Sequence, residues 1–262
     1  MDWNAFLYPE NEKPLDRLVD GYSHTAIFRK IAFIGDSLSS GEFENRTEDG
    51  KPGYHDLYEY SWGQYIARKH GLLSYNFSRG GLTAKVYLES FGDKRGCWDP
   101  EKACQAYVIA LGVNDLCHRQ IPLGSIEDVD VDNYRNNKDT FLGQYAAIVS
   151  RYKEISPDAK FFFVTFPNQT YADWIKRGKG MREGLYELAR VFENAYVIDL
   201  EQYGPLYDKR FHDTFFMHGH MRASGYILTA QLIDSYIDYI VRHNPKDFEN
   251  VPLINTDIPY RG

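Results

Sequence analysis

Apolar residues in this chain gather into short unbroken runs. Ile31-Ala32-Phe33-Ile34 stops at Gly35, the run over 106–111 stops at Gly112, and the run over 161–166 stops at Pro167. Further runs cover 72–77 and 196–200. Such runs are too short for helices and predict strands covered on both faces. Between them the period changes to that of a helix. Phe141, Tyr145, Ile148 and Tyr152 share one face before Ser156-Pro157, Met181, Leu185, Leu188 and Phe192 share another, and Tyr226, Ala230, Ile233, Ile237 and Ile240 mark a last helix ending near His243. Ser61-Trp62-Gly63-Gln64 has the form of a capping box opening a helix to about His70, which Gly71 ends, and a short helix near Thr83 takes Val86 and Leu88. Five strands alternating with helices predict an α/β fold with a parallel sheet between two helical layers.

Where the periods fail, loops are expected. Residues 1–29 mix Pro, charge and isolated aromatics and read as an irregular arm without chemistry; 30–262, with no repeat or linker to divide it, reads as one domain. The polar stretch 42–60, carrying Tyr54, His55, Tyr58 and Tyr60, is expected to be a long loop walling a substrate site. Loops are also expected over 117–131 and over 201–219, the latter carrying Asp208, His212, Asp213 and His218.

Composition narrows the class. Of 262 residues 43% are hydrophobic, enough for a sizeable core, and the formal charge of -7 gives no footprint for nucleic acid. Aromatics reach 16% with 21 Tyr, more than a core needs, so some are expected to line a pocket for sugars or other flat ligands. Cys97, Cys104 and Cys117 match no metal spacing and read as reduced thiols. The start Met1-Asp2-Trp3-Asn4-Ala5 lacks the basic and apolar regions of a secretory leader, and no run is long enough to span a membrane, so a cytoplasmic protein without membrane partners is expected; a secreted chain stripped of its leader would read the same.

Candidate chemistry lies at the ends of the apolar runs, where parallel sheets present their ligands. The first delivers Ser37, the second ends in Asn76-Phe77-Ser78-Arg79-Gly80-Gly81 with glycines that expose backbone N–H groups, and the third delivers Asn114 and Asp115. His218-Gly219-His220 precedes the last helix. A hydroxyl, an imidazole and donors for a developing oxyanion are the parts that acyl transfer needs. A metal at the His-x-His pair has no carboxylate-rich motif beside it, and Asp128, Asp130 and Asp132 lack the Gly and Glu of a calcium loop. Position 39 is Ser, so no Gly-x-Ser-x-Gly elbow surrounds Ser37, and Walker and dinucleotide fingerprints are absent. No metal or cofactor is expected.

In four blocks the chain resembles the SGNH, or GDSL, hydrolases: Gly35-Asp36-Ser37-Leu38, Asn76 with Gly81, Gly112-Val113-Asn114-Asp115, and His220 with Gly225. The resemblance spans roughly 30–243. It implies a flavodoxin-like three-layer α/β/α sandwich with a five-stranded parallel sheet, Ser37 as nucleophile, His220 as base, and the Ser37 N–H, the Gly81 N–H and the Asn114 side chain as oxyanion donors. The family usually carries an Asp three residues before its His, where this chain has Met217. The expected substitute is a backbone carbonyl over 217–219 supporting a Ser-His dyad, with Asp213, or after it Asp208, as the alternative acid. The activity implied is hydrolysis of acyl O-esters through an acyl-serine intermediate, preferably short-chain (acetyl) esters on carbohydrate, with a small-molecule or carbohydrate ester as the partner. The alternatives are a lipase, thioesterase or acyltransferase of the same family, or a binding protein with a degenerate site.

Overall fold

The computed structural model describes residues 9–261. The first eight residues, on which the reading of a missing leader rests, lie outside this range. Five parallel strands form the central sheet: β1 (Lys30–Gly35), β4 (Leu73–Ser78), β5 (Ala106–Ala110), β6 (Lys160–Val164) and β7 (Ala195–Ile198), in the order β4-β1-β5-β6-β7. This is the flavodoxin-like order, in which successive connections leave β1 in opposite directions and open a crevice at its carboxyl end. Two short antiparallel hairpins stand apart from the sheet, β2 (Glu42–Arg46) with β3 (Pro52–Asp56) and β8 (Phe216–Met217) with β9 (His220–Met221).

Successive side chains of a strand point to opposite faces, so each buried run feeds two cores. Ala32, Ile34, Tyr107, Ile109, Phe161 and Phe163 face α3 (Phe141–Ile155) and α4 (Ala172–Val191). Ile31, Phe33, Val108, Phe162 and Val164 face α2 (Trp62–His70) and α6 (Ala223–His243). Two helix ends follow the sequence: the Ser61 hydroxyl accepts from the Gln64 N–H at 3.2 Å and Gly71 ends α2 at φ +67°, although the Gln64 side chain accepts from the Ser74 hydroxyl at 3.0 Å instead of completing a capping box; Thr140, not singled out in the sequence, caps α3. The three cysteines are free thiols.

Two expected loops are more ordered than their patterns suggest. The stretch 42–60 contains the β2–β3 hairpin, whose pleat carries Phe43 as the lone apolar residue of β2, too little for an alternation to register. The stretch 201–219 holds α5 (Lys209–Phe215), capped by the Asp208 side chain, and then β8. From residue 9 on the arm is tied to α6: the Ser23 hydroxyl donates to Asp234 at 2.6 Å, and Arg242 makes two bonds to Glu12 at 2.7 and 2.8 Å.

Candidate active site

The end of β1 sets the nucleophile turn. At Gly35 a Cβ would lie 2.2 Å from the Ser39 hydroxyl, so only glycine lets the chain fold back there. Asp36 caps a one-turn helix, α1 (Ser37–Ser40), by accepting from the Leu38 N–H at 3.1 Å, and Gly41 closes it at φ +82°. Ser37 thereby opens a helical turn at the edge of a cleft of about 760 Å³. The same cleft takes in Gly81 and Asn114 from the ends of β4 and β5, and His220 from β9.

All four residues named for the chemistry therefore line one cleft despite their separation in sequence. Gly81 has φ +69°, the left-handed backbone that glycine adopts freely. The Asn114 amide donates to Asp36 at 3.2 Å and to the Leu82 carbonyl at 3.3 Å, two long bonds that tie it to the turn after β1 and to the chain beyond Gly81. Burial pushes the Asp36 carboxyl up to about 7 against the Leu38 N–H bond, helped by the nearby charges of Asp115 and Glu42. Burial likewise raises Asp115 to about 6, opposed by the Ala84 N–H that it accepts at 2.9 Å. Asp115 thus ties the end of β5 to the chain beyond Gly81 and takes no place in the cleft wall.

The surroundings of His220 differ from expectation. Its Nδ1 meets the Glu44 carboxylate at 3.1 Å, and neither a backbone carbonyl over 217–219 nor a loop aspartate takes that position. Asp213 is exposed and pairs with Lys209 at 2.6 Å, while Asp208 caps α5 through the Phe211 N–H at 2.8 Å; neither lines the cleft. A second carboxylate, Glu42, reaches His220 Nε2 at 3.0 Å. Among the described residues the Ser37 hydroxyl has no hydrogen-bond partner, so Ser37 and His220 share one cleft without a bond between them, and Glu42 takes the Nε2 of the imidazole.

Register explains why both glutamates arrive together. Residues 42 and 44 are two apart and share a face of β2, while Phe43 turns the other way against Tyr60 and Tyr226. Across the hairpin Glu42 pairs with Asp56 and Glu44 with Tyr54, which puts all four side chains on the cleft side. Tyr226 of α6 fastens the base of the hairpin by donating to the Glu42 carbonyl at 2.7 Å, and the Ser40 hydroxyl bonds Asp56 at 2.5 Å. Sequence reasoning missed Glu42 and Glu44, whose stretch prints no apolar alternation and whose one trace in the sequence is their place directly after the Ser37 turn. Burial raises the Glu42 carboxyl, and the carboxylates of Asp56 and Glu44 add to that against the opposing pull of His220. For Glu44 burial acts in the same upward sense but is outweighed, chiefly by the bonds from His220 and the Gly219 N–H, so its carboxyl falls below the ordinary range.

The rest of the wall is aromatic. Tyr54, Phe166, Tyr171, Trp174 and Tyr207 line it, Tyr171 standing 66% exposed, and Arg79 is the sole Lys or Arg among the lining residues. A mostly apolar cavity of about 70 Å³, lined by Asp36, Leu38 and Ser39 but not by Ser37, adjoins the cleft and shares Leu38, Val113, Phe166 and Tyr207 with it. Among the described residues no group of three or more His, Cys, Asp or Glu is arranged to hold a metal ion, and no helix is long and apolar enough to cross a membrane.

Solved structures share this fold at low identity. A family two carbohydrate esterase from Clostridium thermocellum, in complex with cellohexaose, superposes with TM-score 0.57 at 18% identity over 84% of this chain and 65% of that one. Est24, a carbohydrate acetylesterase from Sinorhizobium meliloti, gives 0.52 at 15% over 81% and 99%. A protein from Lactobacillus plantarum gives 0.59 at 15% over 81% and 97%. No curated protein matches the sequence. The model of the GDSL-like Lipase/Acylhydrolase family matches residues 31–233, from the first core strand into the last helix and across every residue gathered around Ser37. The chain belongs to that family of ester-hydrolysing enzymes.

Proposed function

We propose that this protein is a serine esterase that removes short acyl groups, acetyl above all, from carbohydrate. The convergence of Ser37, Gly81, Asn114 and His220 on one cleft carries the reading. His220 Nε2 takes the Ser37 proton as the hydroxyl oxygen attacks the ester carbonyl, and Glu42 turns aside from Nε2 as Ser37 and substrate engage. The Ser37 and Gly81 N–H groups and the Asn114 amide stabilise the tetrahedral oxyanion. The alcohol leaves with the proton from His220, and water activated by the same imidazole releases the acid and restores Ser37. The small, mostly apolar cavity next to the Asp36–Ser39 turn favours a short acyl chain, and the aromatic wall favours a flat sugar face. The two carbohydrate esterases that share the fold lend the acceptor class further support.

A fluorophosphonate probe and a panel of acetylated sugars and nitrophenyl esters of increasing chain length test the proposal. Ser37 is expected to be labelled stoichiometrically, acetyl esters to be preferred, and Ser37→Ala to lose both labelling and hydrolysis with its circular dichroism unchanged. Hydrolysis by Ser37→Ala at the wild-type rate would overturn the mechanism.

A further inference from the structure

We propose that Glu44, reaching in from the β2–β3 hairpin, is the positioning acid of His220 and replaces the carboxylate whose usual place is Met217. The inference rests on the reading of Ser37 and His220 as nucleophile and base. Glu44 is 4% exposed, yet both of its oxygens are engaged. One accepts from the Gly219 N–H at 2.9 Å and from His220 Nδ1 at 3.1 Å; the other pairs with Arg46 at 2.8 Å. A carboxylate held by three donors is fixed in orientation, and its bond to Nδ1–H selects the tautomer that leaves Nε2 free to accept the Ser37 proton. As the imidazole becomes charged, the same carboxylate stabilises it.

The backbone is shaped for this approach. His218 and Gly219 form the two-residue turn between β8 and β9, with His218 at φ +60°. A Cβ at Gly219 would lie only 3.0 Å from the Glu44 carboxylate, at the N–H that it accepts. Position 217 pairs with 220 across the turn, so the two strands place Met217 beside His220 without needing it as an acid. Glu42 does not fit the role, because it sits at Nε2, the nitrogen that Ser37 must use.

The test compares wild type, Glu44→Gln, Glu44→Asp and Glu42→Gln by kcat and KM on an acetyl ester, with the rate of Ser37 phosphonylation and the proton spectrum of histidine-labelled protein alongside. Glu44→Gln is expected to lower kcat by about 10⁴-fold, the loss known when a triad acid becomes its amide, with KM changed only a few-fold. Phosphonylation slows in parallel, and Glu44→Asp recovers about tenfold or more of the lost rate. A downfield imidazole N–H resonance from His220 is expected in wild type and in Ser37→Ala and is lost in Glu44→Gln, so this readout stands even where hydrolysis is absent. A folded Glu44→Gln within tenfold of wild type in kcat would overturn the proposal. So would a resonance that survives Glu44→Gln and disappears in Glu42→Gln. Loss of wild-type hydrolysis and labelling altogether would instead count against the esterase reading.

Discussion

Asp115 is 1% exposed and has one buried oxygen, Oδ2, without a partner among the described residues. Burial therefore favours its protonated form, and its carboxyl titrates near 6 in the folded chain against about 3.9 for an unfolded aspartate. A raised carboxyl contributes stability that is full below about pH 4 and is lost as pH rises through about 6. Asp36 acts in the same sense up to about 7. Asp115→Asn keeps an acceptor for the Ala84 N–H and no longer ionises, so its melting temperature relative to wild type is expected to rise between pH 4.5 and 7.5. An offset constant across that series would show that ionisation of Asp115 carries no cost. At this scale legibility depends on position: Ser37, Gly81 and Asn114 follow apolar runs that declare a strand end, and His220 precedes a periodic helix. Glu42 and Glu44 follow no such run, and a lone glutamate in polar sequence reads the same whether it faces solvent or an imidazole.

Elements were legible where burial imposes a pattern. The five core strands and the helices α2, α3 and α6 bury enough apolar surface to print a period on the sequence, whereas the β2–β3 hairpin buries little besides Phe43 and Glu44 and prints none. The start of α4 was missed for the same reason, since its first two turns lie ahead of the Met181 face and fully bury only Gly178. Close packing adds a constraint that periodicity does not contain. Gly63 brings α2 against β1 so tightly that a Cβ would stand 2.5 Å from the Phe33 ring, which Trp62 meets edge-on. Gly63→Ala is expected to destabilise the protein by about 1–3 kcal/mol, the usual cost of overpacking, despite the gain in helix propensity. Urea unfolding checks this, and a stabilised variant would show that the helix shifts at no cost.

Across the whole molecule, the segment ahead of β1 is held by ionic contacts along α6. His70, Lys69 and the Ser23 hydroxyl converge on Asp234 at 3.0, 2.9 and 2.6 Å, and one helical turn later Asp238 takes His24 at 2.7 Å and Arg242 at 2.8 Å. Burial would raise the Asp234 carboxyl, but the bonds from His70, Ser23 and Lys69 outweigh it and leave it below the ordinary range. The family match begins at residue 31, so this clasp lies partly outside the shared unit. Asp234→Ala strands buried donors and is expected to cost about 3–5 kcal/mol. Because none of these residues lines the cleft, kcat per folded molecule is expected to stay at the wild-type value. Denaturant titration with active-site counting by the phosphonate probe separates the two quantities; a fall in kcat per labelled site would tie the clasp to the cleft.

The rung that joins Glu44 to Tyr54 has a mechanical meaning. Tyr54 is 55% exposed, and its ring lies 5.5 Å from that of His220, so a ligand resting on Tyr54 would press on the same pair of strands that carries Glu44 to the imidazole. On the function proposed above, holding the acceptor and aligning His220 would fall to one hairpin, and an ester too small to touch Tyr54 is expected to lose kcat more than KM.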